Sequence, residues 1–173
     1  VTSQDFNSGR VILTYKPSSR VGIPFRWPNN PLSPTSTELD IVQSAFLQIN
    51  PDTLLNDAGG SNRLKWLRGD RSLEGSSFKV RNYTLGDIVE STPSLVKPPS
   101  NFSFDTTYNT FKANNKTRAN VLYVGANDGM LHGFRATDGK EVLAYVPNAV
   151  FSNLNSLTSK TYAHKYFVNG SPM

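Results

Sequence analysis

The chain has 173 residues, a net charge of +5 and no cysteine, so disulfide frameworks, thiolate zinc sites and cysteine nucleophiles are excluded. Hydrophobic residues make up 37% and charged residues only 18%, while Gly, Pro, Asn, Ser and Thr are abundant, the mark of many turns and long loops. The positive charge is scattered rather than clustered with interleaved aromatics, so no nucleic-acid partner is expected, and no apolar run is long enough to span a membrane.

Taken in chain order, Arg10 to Lys16 is a β-branched and aromatic run that stops at Pro17, which predicts a strand. Residues 17–35 are proline-rich and read as a loop, with Ile23, Phe25 and Trp27 as an apolar patch turned toward a core. Thr35-Ser36-Thr37 before Glu38 resembles an N-cap. Leu39, Val42, Ala45, Phe46 and Ile49 recur at helical spacing, so a helix is predicted over 37–49. A second helix is expected over 62–68, capped by Ser61 and ended by Gly69, with Arg63, Lys65, Arg68 and Arg71 on its wet side.

From Phe78 the pattern turns to strands: 78–83 alternates apolar and polar, 87–91 is short and β-rich, and 94–96 follows Pro93. Residues 97–119 read as a polar surface excursion without a clear pattern. Residues 121–146 carry the strongest signal. Two turns, Asn127-Asp128-Gly129 and Thr137-Asp138-Gly139, separate three alternating apolar runs, which predicts a three-strand antiparallel meander with Gly129 and Gly139 at positive φ. A short helix after Pro147 and a strand at 166–168 complete the reading. Asp87 to Pro93 and Phe167 to Pro172 are weakly alike and lie 79 residues apart, as a decorated repeat would.

Chemistry-bearing constellations are sparse. His132 and His164 are the only histidines, too few for a zinc site of their own, and are read as structural. Asp52, Asn56 and Asp57 do not form a calcium loop, there is no Gly-x-Ser-x-Gly elbow, and Gly125, Gly129 and Gly133 do not form a phosphate cradle. Glu38, Asp40, Glu90 and Glu141 are placed in capping or exposed settings. The Asn-x-Ser/Thr sequons at Asn82, Asn101, Asn115 and Asn169 are ascribed to composition. Arg68-Gly69-Asp70 is an integrin-type tripeptide and the one candidate receptor-binding site, set against a plain reading in which Gly69 ends a helix.

The segment 123–141, with its two Gly-terminated turns, resembles a blade of a quinoprotein-like β-propeller. The ordered set Leu67 to Arg71, Leu85 to Pro93, the meander, Ala144 to Phe151 and His164 to Pro172 is similar to the propeller of the PilC/PilY-type type IV pilus proteins. The resemblance implies a mainly β chain with a few short helices, part of one β-propeller. Residues 1–77 supply a strand, a loop and helical insertions, residues 78–173 supply blade strands, and the remaining blades lie outside this chain. It further implies a non-enzymatic, secreted protein at the pilus tip, cell surface or outer membrane of a Gram-negative bacterium. Pilus subunits or minor pilins, a host-cell or surface receptor and the rest of the propeller would be its partners. Pilus assembly, twitching motility and adhesion would be its roles. No cofactor is expected in this chain, with calcium reserved for other parts of the family's full-length members. A quinone-binding propeller enzyme and a periplasmic assembly scaffold are the alternatives.

Overall fold

A computed structural model describes residues 1–173. Its centre is a six-stranded sheet of β1 (Ile12–Lys16), β2 (Val21–Pro24), β3 (Ser94–Val96), β4 (Val121–Ala126), β5 (Met130–Arg135) and β6 (Glu141–Val146). The spatial order is β2-β1-β6-β5-β4-β3, and the sheet is open at both ends. Strands β3 to β6 form a four-stranded antiparallel meander, one strand more than the double turn signal alone predicts. The β1–β2 hairpin adds to its outer edge, with β1 running parallel to β6.

The predicted turns take the predicted backbone, with φ of 91° at Gly129 and 67° at Gly139. Asp128 accepts a hydrogen bond from the Met130 amide at 3.2 Å, and Asp138 accepts one from the Lys140 amide at 3.0 Å. Each aspartate thus closes its own turn two residues on.

Between Gly133 and Phe134 the β5–β6 register shifts: Gly133 faces Leu143, but Phe134 faces Glu141, leaving Val142 without a partner. The shift changes which side chains enter the core. Under strict alternation Glu141 would share a face with Leu143 and Tyr145, away from Ala144 and Val146. A bulge adds one residue and reverses that parity, so Glu141 is buried along with Ala144 and Val146.

The helices lie on that face: α1 (Ile41–Gln48), α2 (Gly60–Arg68) and the one-turn α4 (Phe151–Leu154), the last flanked by 3₁₀ turns at Asn148–Val150 and Asn155–Thr158. The core forms where they meet β1, β5 and β6. Phe25 meets Phe151 edge-on with centroids 5.8 Å apart, and Trp66 meets Phe78 at 6.4 Å. The opposite face carries Leu13, Tyr123, Leu131, Leu143 and Tyr145, all partly exposed.

Several local expectations are corrected. The first helix starts at Ile41, not 37, because Asp40 forms a reciprocal capping box with Gln43, whereas Glu38 closes the loop through the Asn29 and Thr35 amides. Its buried face is Gln43, Ser44 and Leu47, while Val42 and Phe46 are exposed. Gln43 is tolerated inside because its amide donates to the Tyr15 carbonyl and to Asn148 Oδ1. Helix α2 begins at Gly60 with no side-chain cap from Ser61. The loop assigned to 17–35 contains β2, and the excursion at 97–119 contains α3 (Thr106–Asn114), capped by Asp105 and burying none of its residues. Residues 78–83, 87–91 and 166–168 form no strands. Their alternation is real, but no neighbouring strand offers a ladder. The Lys79 amide goes instead to the Thr158 carbonyl, and the Asp87 carbonyl accepts from the Asn127 amide.

The two turn glycines differ in surroundings, which gives a graded expectation. A side chain at Gly139 meets open space, so Gly139→Ala should cost only the left-handed backbone penalty of about 1–2 kcal/mol. A Cβ at Gly129 would lie 2.5 Å from Leu154 Cδ2, so Gly129→Val should add an overpacking cost of about 1–3 kcal/mol. Chemical denaturation of the two variants checks this, and equal losses would contradict the packing of α4 on the turn.

Candidate functional site

Arg10 precedes β1, His132 sits mid-β5 and Glu141 opens β6; the parallel docking of β1 and the bulge in β6 bring the three together. Arg10 forks onto Glu141, with Nε to Oε2 at 2.6 Å and Nη2 to Oε1 at 2.8 Å. His132 Nδ1 lies 2.7 Å from Glu141 Oε1, and its Nε2 lies 3.1 Å from both carboxylate oxygens of Asp128. The His132 side chain is 0% exposed and that of Glu141 1%.

Burial by itself pushes the His132 pKa down. The Asp128 charge and hydrogen bond, joined by Glu141, override it and hold His132 up at about 9. Burial pushes Glu141 up, and hydrogen bonds from His132 and Arg10 override it and hold the carboxyl down at about 2. His132 is therefore a cation and Glu141 an anion at neutral pH, and every oxygen of Glu141 and both nitrogens of His132 have protein partners. Such a set is a structural lock, since the buried groups of His132 and Glu141 are spent on one another, on Arg10 and on Asp128. The placement of Glu141 in an exposed or capping setting is thereby corrected: the bulge turns it inward.

Arg68 extends the lock. Its guanidinium donates to the carbonyls of Phe25 at 2.9 Å, Phe6 at 3.1 Å, and Asn7 and Arg10 at 3.3 Å each. Arg10 Nη1 in turn donates to the Arg68 carbonyl at 2.5 Å. Burial, followed by repulsion from Arg26 and Arg10, lowers the Arg68 pKa to about 10.

This arrangement favours the plain reading of Arg68-Gly69-Asp70, in which Gly69 ends a helix, over the receptor-binding one. Arg68 is only 3% exposed and its donors are engaged. Gly69, at φ 123°, ends α2 by donating to the Lys65 and Trp66 carbonyls, and Asp70 accepts from the Ser72 amide. The tripeptide presents no arginine to a partner. Arg63 is likewise buried rather than on the wet side of α2, held by Asp57 at 2.5 Å and by the Leu47 carbonyl.

A second polar junction lies at the β4–β5 turn. Asn127 donates through Nδ2 to Asp87 at 2.8 Å and accepts the Phe167 amide at 3.0 Å, while His164 Nε2 lies 2.9 Å from Asp87. The Thr92 amide donates to Ser171 Oγ at 2.9 Å and Asn169 to Glu90 at 3.2 Å. The two similar segments, 87–93 and 167–172, thus lie side by side over the end of the meander. Asp52 and Asp57 diverge: Asp52 accepts from Ser159 and Thr161, and Asp57 pairs with Arg63.

The most exposed apolar surface belongs to the 97–119 excursion, where Phe102, Phe104 and Phe111 are open to solvent and Phe102, Tyr108 and Phe111 form a ring cluster. No helix is long and apolar enough to cross a membrane.

A four-stranded antiparallel meander, locked by buried charge and set in an unclosed sheet, is a propeller blade in its connectivity. Residues 85–173 match the family model for the PilY1 beta-propeller domain, and the chain belongs to that family. Among similar proteins, the type IV pilus biogenesis factor PilY1 of Pseudomonas aeruginosa strain PAK is 45% identical over 140 residues, covering 73% of this chain and 12% of that protein. The factor of the same name from strain UCBPP-PA14 is 38% identical over an alignment of 185 positions, covering 99% of this chain and 16% of that protein. A homolog of it from Xylella fastidiosa strain Temecula1 is 41% identical over 123 residues, 65% of this chain and 10% of that protein. The chain therefore spans only about an eighth of the length of these relatives. No solved structure matches it.

Removing the shared carboxylate should be severe. Glu141→Gln leaves Arg10 buried without a counter-charge and His132 with Asp128 alone, an expected loss of about 3–5 kcal/mol. The melting temperature should fall by about 6–20 °C. The pH profile has a definite shape. His132, raised from 6.5 to about 9, contributes stability that is complete below pH 6.5 and lost as pH rises through 9. Glu141, lowered from 4.5 to about 2, contributes stability that is present above pH 4.5 and lost as pH falls toward 2. Melting temperatures from pH 2 to 10 should plateau between 4.5 and 6.5, and His132→Gln should flatten the alkaline limb.

Proposed function

We propose that this protein is a non-enzymatic component of the type IV pilus machinery, acting at the pilus tip or outer cell surface in pilus assembly, twitching motility and attachment. The observation that carries this reading is how the polar groups divide. Inside the blade, the ionisable side chains of the lock are tied to one another, whereas the exposed groups lie on an excursion that the core does not use. A rigid blade carrying an aromatic-tipped excursion is suited to recognition. The relatives' description as pilus biogenesis factors supports the setting. The partners in this reading are pilus subunits and a host-cell or surface receptor. The rest of the propeller would pack on the partly exposed sheet face of Leu13, Tyr123, Leu131, Leu143 and Tyr145. That packing would bury apolar surface worth about 25 cal/mol per Å².

Deletion of residues 100–117 from the full-length protein tests the reading. Folding and secretion should be unchanged, because α3 buries nothing, while attachment to surfaces should fall. Unchanged attachment would place the recognition surface elsewhere. Loss of secretion with misfolding would make the excursion structural.

A further inference from the structure

A cleft of about 390 Å³ opens between α2, the 79–87 loop, the β4–β5 turn and Tyr162. It borders the lock only at Asp128 and is separate from the 97–119 excursion. Its walls mix apolar groups (Leu67, Leu85, Leu157) with one unusual cation. Lys79 Nζ sits 3.5 Å from the centroid of the Tyr162 ring and 5.9 Å from that of Trp66. No carboxylate or carbonyl accepts a hydrogen bond from it. Rings attract a cation through their faces but accept no conventional hydrogen bond.

The neighbouring charges do not fill this gap. Arg81 stacks on Trp66 with Cζ 3.7 Å from the ring centroid, but its donors go to Glu74 and to the Trp66 and Asp70 carbonyls. Asp87 is engaged by Asn127 and His164, and Asp128 by His132 and the Gly86 and Met130 amides. Trp66 Nε1, also on the cleft wall, is buried with no acceptor. The Lys79 ammonium thus borders the cleft with no acceptor for its donors. Burial, reinforced by the Arg81 charge, lowers the Lys79 pKa to about 8, with Asp87 opposing, which still leaves the ammonium mostly charged at neutral pH.

We infer that this cleft binds an organic carboxylate carried on an apolar body, the group in which a peptide chain with an apolar last residue ends, with Lys79 as the anion-binding residue. The carboxylate would supply the acceptors that the ammonium lacks. Leu67, Leu85 and Leu157 offer the apolar body a wall. Tyr83, 75% exposed, and Val80, 66% exposed, stand at the mouth, which leaves the entrance open. A sugar acid fits less well, because it has no apolar body to lay against Leu67, Leu85 and Leu157.

The experiment titrates the protein with acetyl-Ala-Leu as free acid, as its C-terminal amide, and with galacturonate, by calorimetry and by tryptophan fluorescence. Trp66 is one of only two tryptophans in the chain. The free acid should bind at least tenfold more tightly than the amide. Lys79→Met, which keeps the apolar stem, should remove that preference, and Lys79→Arg should retain it within about threefold. Equal binding of acid and amide, or no binding of the acid at millimolar concentration, would overturn the inference. Galacturonate binding as tightly as the peptide acid would overturn its apolar part. The acid-versus-amide comparison uses the unaltered protein, so it decides the question even if a Lys79 variant does not fold.

Discussion

The fold depends on a buried ion cluster, Arg10–Glu141–His132, set in the same row of the sheet as its apolar core. Isolated charges in such a place would each cost several kcal/mol, so each is tolerable only because the others are there. The pairing demands three separate things of the chain. Glu141 must face inward, which the bulge at Val142 achieves. His132 must lie opposite Ala144, next to that carboxylate, which the β5 register achieves. Arg10 must arrive from the far end of the sequence, which requires β1 to dock parallel to β6. Glu141 is the shared partner, so losing its inward turn removes a contact from both Arg10 and His132. The cluster therefore specifies the register of the blade and the position of the N-terminal hairpin together.

Arg68 carries the same constraint outward. Its side chain collects carbonyls from Phe6, Asn7, Arg10 and Phe25, none of them in regular hydrogen-bonded positions, while its own carbonyl receives Arg10. Irregular backbone can be buried only when its polar groups find partners. The arginine at the end of α2 supplies them, and so joins the helical layer to the sheet. Its place within an Arg-Gly-Asp tripeptide follows from that duty: the arginine is a buried carbonyl clamp, and the glycine ends the helix.

What was legible in the sequence follows from how local each signal is. The meander was legible because Asp-Gly turns and alternation are complete within a few residues. Helices α1 and α2 were legible in existence but not in phase. The cap that sets α1 is an Asp40–Gln43 exchange, and Gln43 is buried only because Tyr15 and Asn148, distant in sequence, receive its amide. The strands expected at 78–83, 87–91 and 166–168 failed for a related reason: alternation describes one strand, whereas a ladder needs two. The inward turn of Glu141 was hidden because a bulge reverses side-chain parity without changing composition. The one available hint was a charged residue at each mouth of an apolar run, Arg10 before β1 and Glu141 opening β6.

The weak likeness between 87–93 and 167–172 has a spatial cause. Ser91 Oγ accepts the Gly125 amide, and Val168 lies against the same glycine, where a Cβ would come within 2.3 Å of its carbonyl oxygen. Asn127, two residues on, holds Asp87 with one side of its amide and Phe167 with the other. Both segments therefore meet the same end of β4, and both finish in a serine followed at once or one residue later by proline. Proline has no amide to donate, so it ends such side-chain bridging and releases the chain in an extended direction. In the first segment that direction is β3, which begins at Ser94, immediately after Pro93. The two segments are alike in sequence because they do the same thing in space. Each carries the chain across the mouth of the meander and fixes it to a common asparagine. A blade built this way is held at one end by hydrogen bonds around Asn127, one of them to the Asp87 carboxylate, and in its middle by the charge cluster around Glu141. Its two unpaired sheet edges are left to the short strands β2 and β3.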